Sequence, residues 1–348
     1  MRFALGGREI GEGLPPFVIA EAGVNHNGDV GLALELVRRA KASGADCVKF
    51  QTFSAERLVT RAAPKAEYQT RVTDAAESQF AMLQRLELSP EAHERILAEC
   101  RAQGILFLST PYGPQDADLL ERLGVEGFKI ASSQLTEPAY LAHVARKGKP
   151  VILSTGMATL GEVGEALGAA RATGNRRVVL LQCTTNYPSR IEDANLRAMD
   201  TLRAAFGALV GYSDHTPGIV AAVAAAALGA CVIEKHFTLD TALPGPDHSA
   251  SADPAELARL VAAVREAHAA LGSAEKRPSE AERRNAVGMR RSIVAARAIK
   301  AGTVVTADML TLKRPATGLP PRLLPLATGR TARRDLAADA PIGLDDLV

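Results

Sequence analysis

Eight short apolar runs recur along the first 237 residues: PFVIAE (16–21), CVKFQT (47–52), ILFLST (105–110), GFKIAS (127–132), VILST (151–155), VVLLQCT (178–184), LVGYSD (209–214) and VIEKHF (232–237). Their starts are 31, 58, 22, 24, 27, 31 and 23 residues apart. Runs of this length, rich in β-branched residues, read as buried strands. Helical patterns lie between them. Val30, Ala33, Leu34 and Val37 follow the i, i+3, i+4, i+7 spacing of a helix packed on a sheet. Ser89-Pro90-Glu91 supplies a capping hydroxyl and then a proline at the first helical position, and Gly104 stops that helix. Asp253-Pro254-Ala255-Glu256 opens another, with Leu257, Leu260, Val261 and Val264 on one face and Gly272 past its end.

Eight strand–helix units in about 272 residues predict an α/β fold, a (β/α)8 TIM barrel. An open doubly wound sheet is the competitor. It expects a glycine-rich first turn, and Ala22-Gly23-Val24-Asn25 is no GxGxxG. The long interval from 47 to 105 holds an insertion, and 53–88 reads as a long loop over the barrel mouth. The barrel domain is assigned 1–273. Residues 274–290, charged and poor in apolar groups, read as a linker. Residues 291–348, with short strands and Gly and Pro turns, read as a small β-rich domain. A piece that small is marginal alone and needs something to dock on.

Composition narrows the classes. There are 41 basic and 39 acidic residues, a net charge of +2, and 47% hydrophobic residues. Such a chain has enough apolar surface to fold and no basic footprint for nucleic acid or an anionic membrane. The four cysteines, Cys47, Cys100, Cys183 and Cys231, form no CxxC pair. They read as buried free thiols of a reducing compartment. The N-terminus lacks the apolar stretch of a signal peptide, and the longest apolar run, 218–233, is too short to span a bilayer. The expected location is the cytoplasm.

Active sites of such barrels form at the C-terminal ends of the strands. All eight ends here are polar: Glu21, Asn25 and His26; Lys49 and Gln51; Ser109 and Thr110; Lys129 and Ser132; Ser154 and Thr155; Thr184 to Asn186; Ser213 to His215; Glu234 to His236. One polar end is only a helix cap. Eight together predict a site.

His215 and His236 end the seventh and eighth runs, which are neighbours in a barrel. Two imidazoles there can share a metal ion, or can be hydrogen-bonded core histidines. Lys49 and Lys129 sit inside apolar runs. A buried lysine needs an anion beside it. Salt bridges to Glu21 or Glu234 would serve, and so would a bound phosphate or carboxylate helped by Thr110, Ser132, Ser154 and Ser213 and by the amides of 156–158. The loop LPGPDHSAS (243–251) carries Asp247 and His248, either as a turn bonded to its own backbone or as a carboxylate for ligand hydroxyls.

The segments VIAEAGVNHNG, VKFQTF, ILSTGMATLGE, LLQCTTNYPS, GYSDHTPG, IEKHFTLD and LPGPDHSAS resemble the sialic acid synthase family, which includes N-acetylneuraminate, legionaminate and pseudaminate synthases. The tail from RRSIVAARAIKAG onward is similar to the antifreeze-like SAF domain of those enzymes. The resemblance covers residues 17–348. It implies an aldol-type condensation of phosphoenolpyruvate (PEP) with an open-chain N-acyl amino sugar, N-acetylmannosamine first among them. Water adds at C2 of PEP and phosphate leaves.

The resemblance also implies residue roles. His215 and His236 hold Mn²⁺ or Mg²⁺. Lys49, Thr110, Lys129, Ser132, Ser154, Thr185 and Ser213 hold PEP. Glu21, Gln51, Tyr187 and Asp247 face the sugar. Arg314 reaches the active site of a partner subunit in a domain-swapped homodimer. Glu21, Lys49, Lys129 and Gln134 form the catalytic set, with one departure from the family pattern. Two places beyond Ser132 relatives carry an acid, and Gln134 hydrogen-bonds but moves no proton. Within the family, a legionaminate or pseudaminate synthase is the alternative, because sugar choice turns on small contacts. A non-catalytic sugar-binding protein is the rival from another class. It has no use for two buried lysines beside a histidine pair.

Overall fold

The computed structural model describes residues 1–74 and 76–348. The chain divides into two compact units, Met1–Gly272 and Ser273–Val348.

The first unit opens with an antiparallel hairpin, β1 (Arg2–Leu5) and β2 (Arg8–Gly11). Eight parallel strands follow: β3 (Phe17–Gly23), β4 (Cys47–Thr52), β5 (Leu106–Pro111), β6 (Phe128–Ile130), β7 (Val151–Ser154), β8 (Val178–Cys183), β9 (Leu209–Asp214) and β10 (Val232–His236). Their hydrogen-bonded order is β5-β4-β3-β10-β9-β8-β7-β6. The first barrel strand therefore pairs with the last, and β5 and β6 approach each other at the ends of the ladder. This nearly closed sheet is the TIM-like barrel expected from the eight runs.

Strand side chains alternate between two faces. On the barrel's outer face Val18, Ala20, Val48, Phe50, Phe128, Ile130, Leu180 and Val210 pack with the helices. Inside, Phe17, Ile19, Cys47, Leu108, Ile152, Val179, Leu181, Leu209 and Val232 form a second core. Leu5 and Ile10 of the hairpin plug its bottom. The hairpin has no counterpart among the eight runs, and the sequence reading missed it. One step further along the inward rows come Glu21, Lys49, Thr110, Ser154, Cys183, Ser213 and Glu234. The polar groups thus sit directly above an apolar plug.

The helices surrounding the sheet are α1 (Val30–Ala42), α5 (Pro90–Gln103), α6 (Pro114–Leu123), α7 (Pro138–Arg146), α8 (Leu160–Ala172), α9 (Ala198–Phe206), α10 (Val220–Ala227) and α11 (Pro254–Leu271). Their starts follow capping chemistry. Asp29, Ser89 and Asp253 each accept an amide of the first turn, and Gly104 ends α5 in the left-handed conformation.

Two sequence assignments need correction. Segment 53–88 is not a plain loop: it contains α2 (Ala55–Leu58), α3 (Glu67–Val72) and α4 (Gln79–Arg85). Each is too short to show a periodic stripe, so the pattern hid them. Met82 and Leu86 bury against Val24 and Phe53 in a small core of their own. Segment 274–290 is not all linker. It contains α12 (Glu280–Met289), begun by a capping box between Ser279 and Glu282. That motif stands in the sequence, but the helix buries no side chain and so leaves no apolar periodicity.

The second unit pairs β11 (Ser292–Ala295) with β12 (Leu310–Lys313). Ile293, Ala295, Ile299, Val305, Leu336 and Ile342 form its core. All four cysteines are free and buried. Among the described residues no helix is long and apolar enough to cross a membrane.

Candidate active site

Strand register sets the site's central row. His236 pairs with Glu21 across β10 and β3, and Glu21 pairs with Lys49 across β3 and β4. Residues in register on parallel strands share a face, so all three turn inward. A register shift between Glu21 and Gly23, with Gly23 at φ +53°, ends this row.

A cavity of about 270 Å³ opens here. It is lined by Glu21, Lys49, Gln51, Thr110, Lys129, Ser132, Ser154, Thr185, Tyr187, Ser213, His215, His236 and Asp247, among others. Every site residue expected in the barrel is therefore in one place, with a single exception. Gln134 is buried beside it, accepting from the Ser133 hydroxyl, but does not line it. The 3-10 turn Ser132–Gln134 points Ser132 and Ser133 at the cavity and Gln134 away from its lining. A catalytic role for Gln134 is not supported by this placement. Arg314 belongs to the second unit, where it borders a separate cavity with Arg290, Arg291 and Arg322.

The lysines are held by carboxylates. Lys49 Nζ lies 2.5 Å from Glu21 Oε2 and 3.8 Å from Glu234 Oε2, and donates to Thr110 Oγ1 at 3.0 Å. Lys129 Nζ lies 3.2 Å from Glu234 Oε1, which also accepts from Ser213 Oγ at 3.0 Å. Glu234 thus bridges both lysines. The sequence reading offered it as one of two possible salt-bridge partners for the lysines, not as a bridge between both. Its inward parity with His236, two residues on, was the available signal.

The two glutamates differ in protonation. Burial pushes Glu21 up to about 7, with Glu234 adding to the rise and Lys49 opposing it. Burial also raises Glu234, but Lys129 and Lys49 overcome it and hold the group down at about 2. Burial lowers Lys129, with Glu234 opposing. One carboxylate is a fixed anion, and the other exchanges protons near neutrality.

The Ser154 hydroxyl is buried in the lining and has no hydrogen-bond partner. Such groups cost stability unless a ligand or water meets them. Ser132 Oγ accepts from the Gly156 amide at 2.9 Å. A Cβ on Gly156 would lie 2.2 Å from Thr185 Oγ1 and 2.9 Å from Ser132 Oγ. Met157, next along, is at φ +64° and is 70% exposed at the rim.

The rings of His215 and His236 have centroids 5.3 Å apart, with Tyr187 against both. His215 Nδ1 donates to the Thr184 carbonyl at 2.7 Å, so Nε2 is the nitrogen that offers a lone pair when the ring is neutral. Burial lowers this group, but Cys183 beside it outweighs burial and raises it. Burial, then His215, pushes His236 well down, so its ring is neutral. Its Nδ1 is buried without a hydrogen-bond partner, 3.9 Å from Asp247 Oδ2. Burial raises Asp247 to about 6. No three His, Cys, Asp or Glu groups among the described residues converge as an all-protein metal cage. Two imidazoles side by side, one with an orphaned nitrogen, suit an ion that takes its other ligands from substrate and water.

The remaining lining was not read from sequence. Val24, Leu58, Val59, Gln69, Gln79, Met82, Leu83 and Leu86 close one side, seven of them from 53–88. The expectation that this insertion covers the barrel mouth agrees with that placement. The length of the interval was the only signal.

Comparison with known proteins decides the family. Residues 36–276 match the NeuB family. The chain belongs to the NeuB family. Residues 290–348 match the SAF domain. This chain is 48% identical over 304 residues to the N,N'-diacetyllegionaminic acid synthase of Campylobacter jejuni, covering 87% of this chain and 91% of that one. It is 47% identical over 332 residues to the synthase of the same name from Legionella pneumophila, covering 94% and 93%. Among solved structures, N-acetylneuraminic acid synthetase from Leptospira borgpetersenii, in complex with citrate, superposes with a TM-score of 0.73 at 33% identity, covering 82% of this chain and 95% of that one. As a NeuB-family member this chain is an enzyme, a transferase that forms a carbon–carbon bond.

Proposed function

We propose that this NeuB enzyme condenses PEP with an open-chain, N-acetylated aldose to give a nine-carbon 2-keto acid and phosphate. The acceptor moves from N-acetylmannosamine to the diacetamido aldose whose condensation gives N,N'-diacetyllegionaminate, because two relatives of that name match nearly the whole chain. The observation that carries the reading is one cavity lined by two buried lysines, an unpartnered serine hydroxyl and two adjacent imidazoles. The first three fit an enol phosphate.

Lys49, Lys129, Thr110, Ser154 and Ser213 bind and orient PEP, and Glu234 keeps both lysines charged. Carbon C3 of PEP attacks the aldehyde carbon, and the new bond joins them. Water adds at C2, and the C2–O bond to phosphate breaks as the keto group forms. Glu21, titrating near neutrality, holds and moves the proton of that water; it takes the role for which Gln134 lacks the chemistry. Asp247, Gln51 and Tyr187 orient the sugar. His215 and His236 would hold Mn²⁺ or Mg²⁺. Such an ion, when bound, polarises the aldehyde oxygen and offsets charge developing there.

A domain-swapped homodimer, with Arg314 serving a partner's site, belongs to the same reading. So does a cytoplasmic location, supported by four free cysteines. Mixing Lys129→Ala and Arg314→Ala enzymes tests the swap: mixed dimers regain activity if Arg314 acts across subunits, and stay inactive if it acts within one. The reaction itself is tested by phosphate release from PEP with each aldose and Mn²⁺, with and without chelator. No release with any N-acetylated aldose overturns the proposal.

A further inference from the structure

The cavity is chemically divided. The strand ends supply its charged and hydroxyl-bearing part: Lys49, Lys129, Thr110, Ser154, Ser213 and Glu234. The insertion between β4 and β5 supplies an apolar wall of Leu58, Met82, Leu83 and Leu86, flanked by the amides of Gln69 and Gln79. PEP, with a phosphate and a carboxylate, belongs with the lysines. The apolar wall is left to the acceptor.

A wall of leucines and methionine is a poor surface for a hydroxyl. Each sugar hydroxyl placed there loses its water partners and gains none. An acetamido group is different. It has a methyl for the apolar side chains and an amide for Gln79, whose Nε2 donates to Gln69 Oε1 at 3.3 Å. Leu58, Leu83 and Gln79 are only half-buried, so ligand atoms can reach them. Met82 and Leu86, with Val24 and Phe53, form the small core behind them.

The wall is also fixed in place. The Ala55 amide donates to Glu87 Oε1 at 2.6 Å, closing the segment's two ends on each other. Arg57 pairs with the buried Asp116 of α6. Phe53 meets Tyr112 edge-on with centroids 5.8 Å apart. A wall anchored in this way selects by shape and polarity.

We infer that Leu58 and Leu83, backed by Met82 and Leu86, receive the second acetamido group of the acceptor and so set its preference over aldoses with a hydroxyl at that carbon. The inference rests on the proposed PEP-dependent condensation and names the part of the cavity that chooses the sugar.

The test is steady-state phosphate release from PEP with two acceptors, the diacetamido aldose and N-acetylmannosamine, on wild type, Leu58→Gln, Leu83→Gln and the conservative Leu83→Met. Wild type is expected to favour the diacetamido aldose in kcat/KM by about tenfold or more, the scale that one pocket contact supports. Either glutamine variant should erase most of that ratio through the diacetamido aldose alone. The KM for PEP should stay put, which also shows the barrel is folded. Leu83→Met should keep the ratio. Equal losses on both acceptors, or an unchanged ratio, overturn the role of the wall while leaving the synthase reading intact. A wild-type enzyme that releases no phosphate with either aldose overturns both.

Discussion

Lys49 Nζ lies 2.5 Å from Glu21 Oε2 while also donating to Thr110 Oγ1. The ammonium that should grip PEP is therefore shared with a carboxylate that titrates at about 7. Above that pH Glu21 is ionised, holds Lys49 and repels the incoming phosphate. Below it Glu21 is neutral and releases the lysine. The dissociation constant of PEP should rise as pH climbs through about 7. In Glu21→Gln this step should vanish. Titration calorimetry from pH 6 to 8.5 measures it, and identical slopes in both proteins would refute the competition.

Ser154 carries a buried hydroxyl with no partner. An unmet buried hydroxyl costs roughly 1–3 kcal/mol. Ser154→Ala should leave the free enzyme as stable or slightly more so, by its unfolding midpoint. Its KM for PEP should rise several-fold, since the orphan donor is gone. A destabilised variant with normal PEP kinetics would contradict the assignment.

Gly156 has no room for a side chain, because a Cβ would press on Thr185 Oγ1 and Ser132 Oγ. Gly156→Ala must displace two expected PEP ligands while leaving the barrel core untouched. The loss should fall on kcat/KM for PEP, by about a hundredfold for a misplacement near 1 Å. Circular dichroism should be unchanged. Near-normal kinetics would show that neither hydroxyl matters.

His215 and His236 should be needed for metal-dependent turnover. Alanine at either position is expected to abolish Mn²⁺-stimulated phosphate release and to weaken Mn²⁺ binding in equilibrium dialysis. Retained binding in both variants would remove the metal assignment.

Three buried histidines behind the site predict acid sensitivity. The Gly28 amide donates into His26 Nδ1, so that nitrogen must be unprotonated, and burial lowers the group to about 4. Burial also lowers His248 to about 4 and lowers His93. The unfolded chain takes up these protons near 6.5 and the folded chain does not. Stability is therefore intact above 6.5 and falls toward pH 4, by at most about 1.4 kcal/mol per unit for each group. His248 also bonds Thr238 and Asn27, steadying the loop that carries Asp247. Unfolding midpoints at pH 7, 6 and 5 should decline, and His248→Gln should decline less steeply. Parallel declines would exclude His248.

Much of the barrel was legible before any coordinates. Eight apolar runs, the caps at Asp29, Ser89 and Asp253, and the stop at Gly104 are local signals, because a strand's burial and a helix's first amides depend on residues within a few positions. The polar strand ends were legible for the same reason, and inward parity accounts for Lys49, Glu21 and His236 on one face. The three short helices of 53–88 were not, since one turn of helix shows no period. Nor was α12, none of whose residues is buried.

Tertiary structure alone decided how these groups combine. Sequence names two lysines and two glutamates; only closure of the sheet puts Glu234 between Lys49 and Lys129, so that equivalent carboxylates titrate near 2 and near 7. Only the folded insertion turns Leu58 and Leu83 toward the cavity. Electrostatics and shape depend on distances between residues far apart in the chain, and those distances exist only once the barrel has closed.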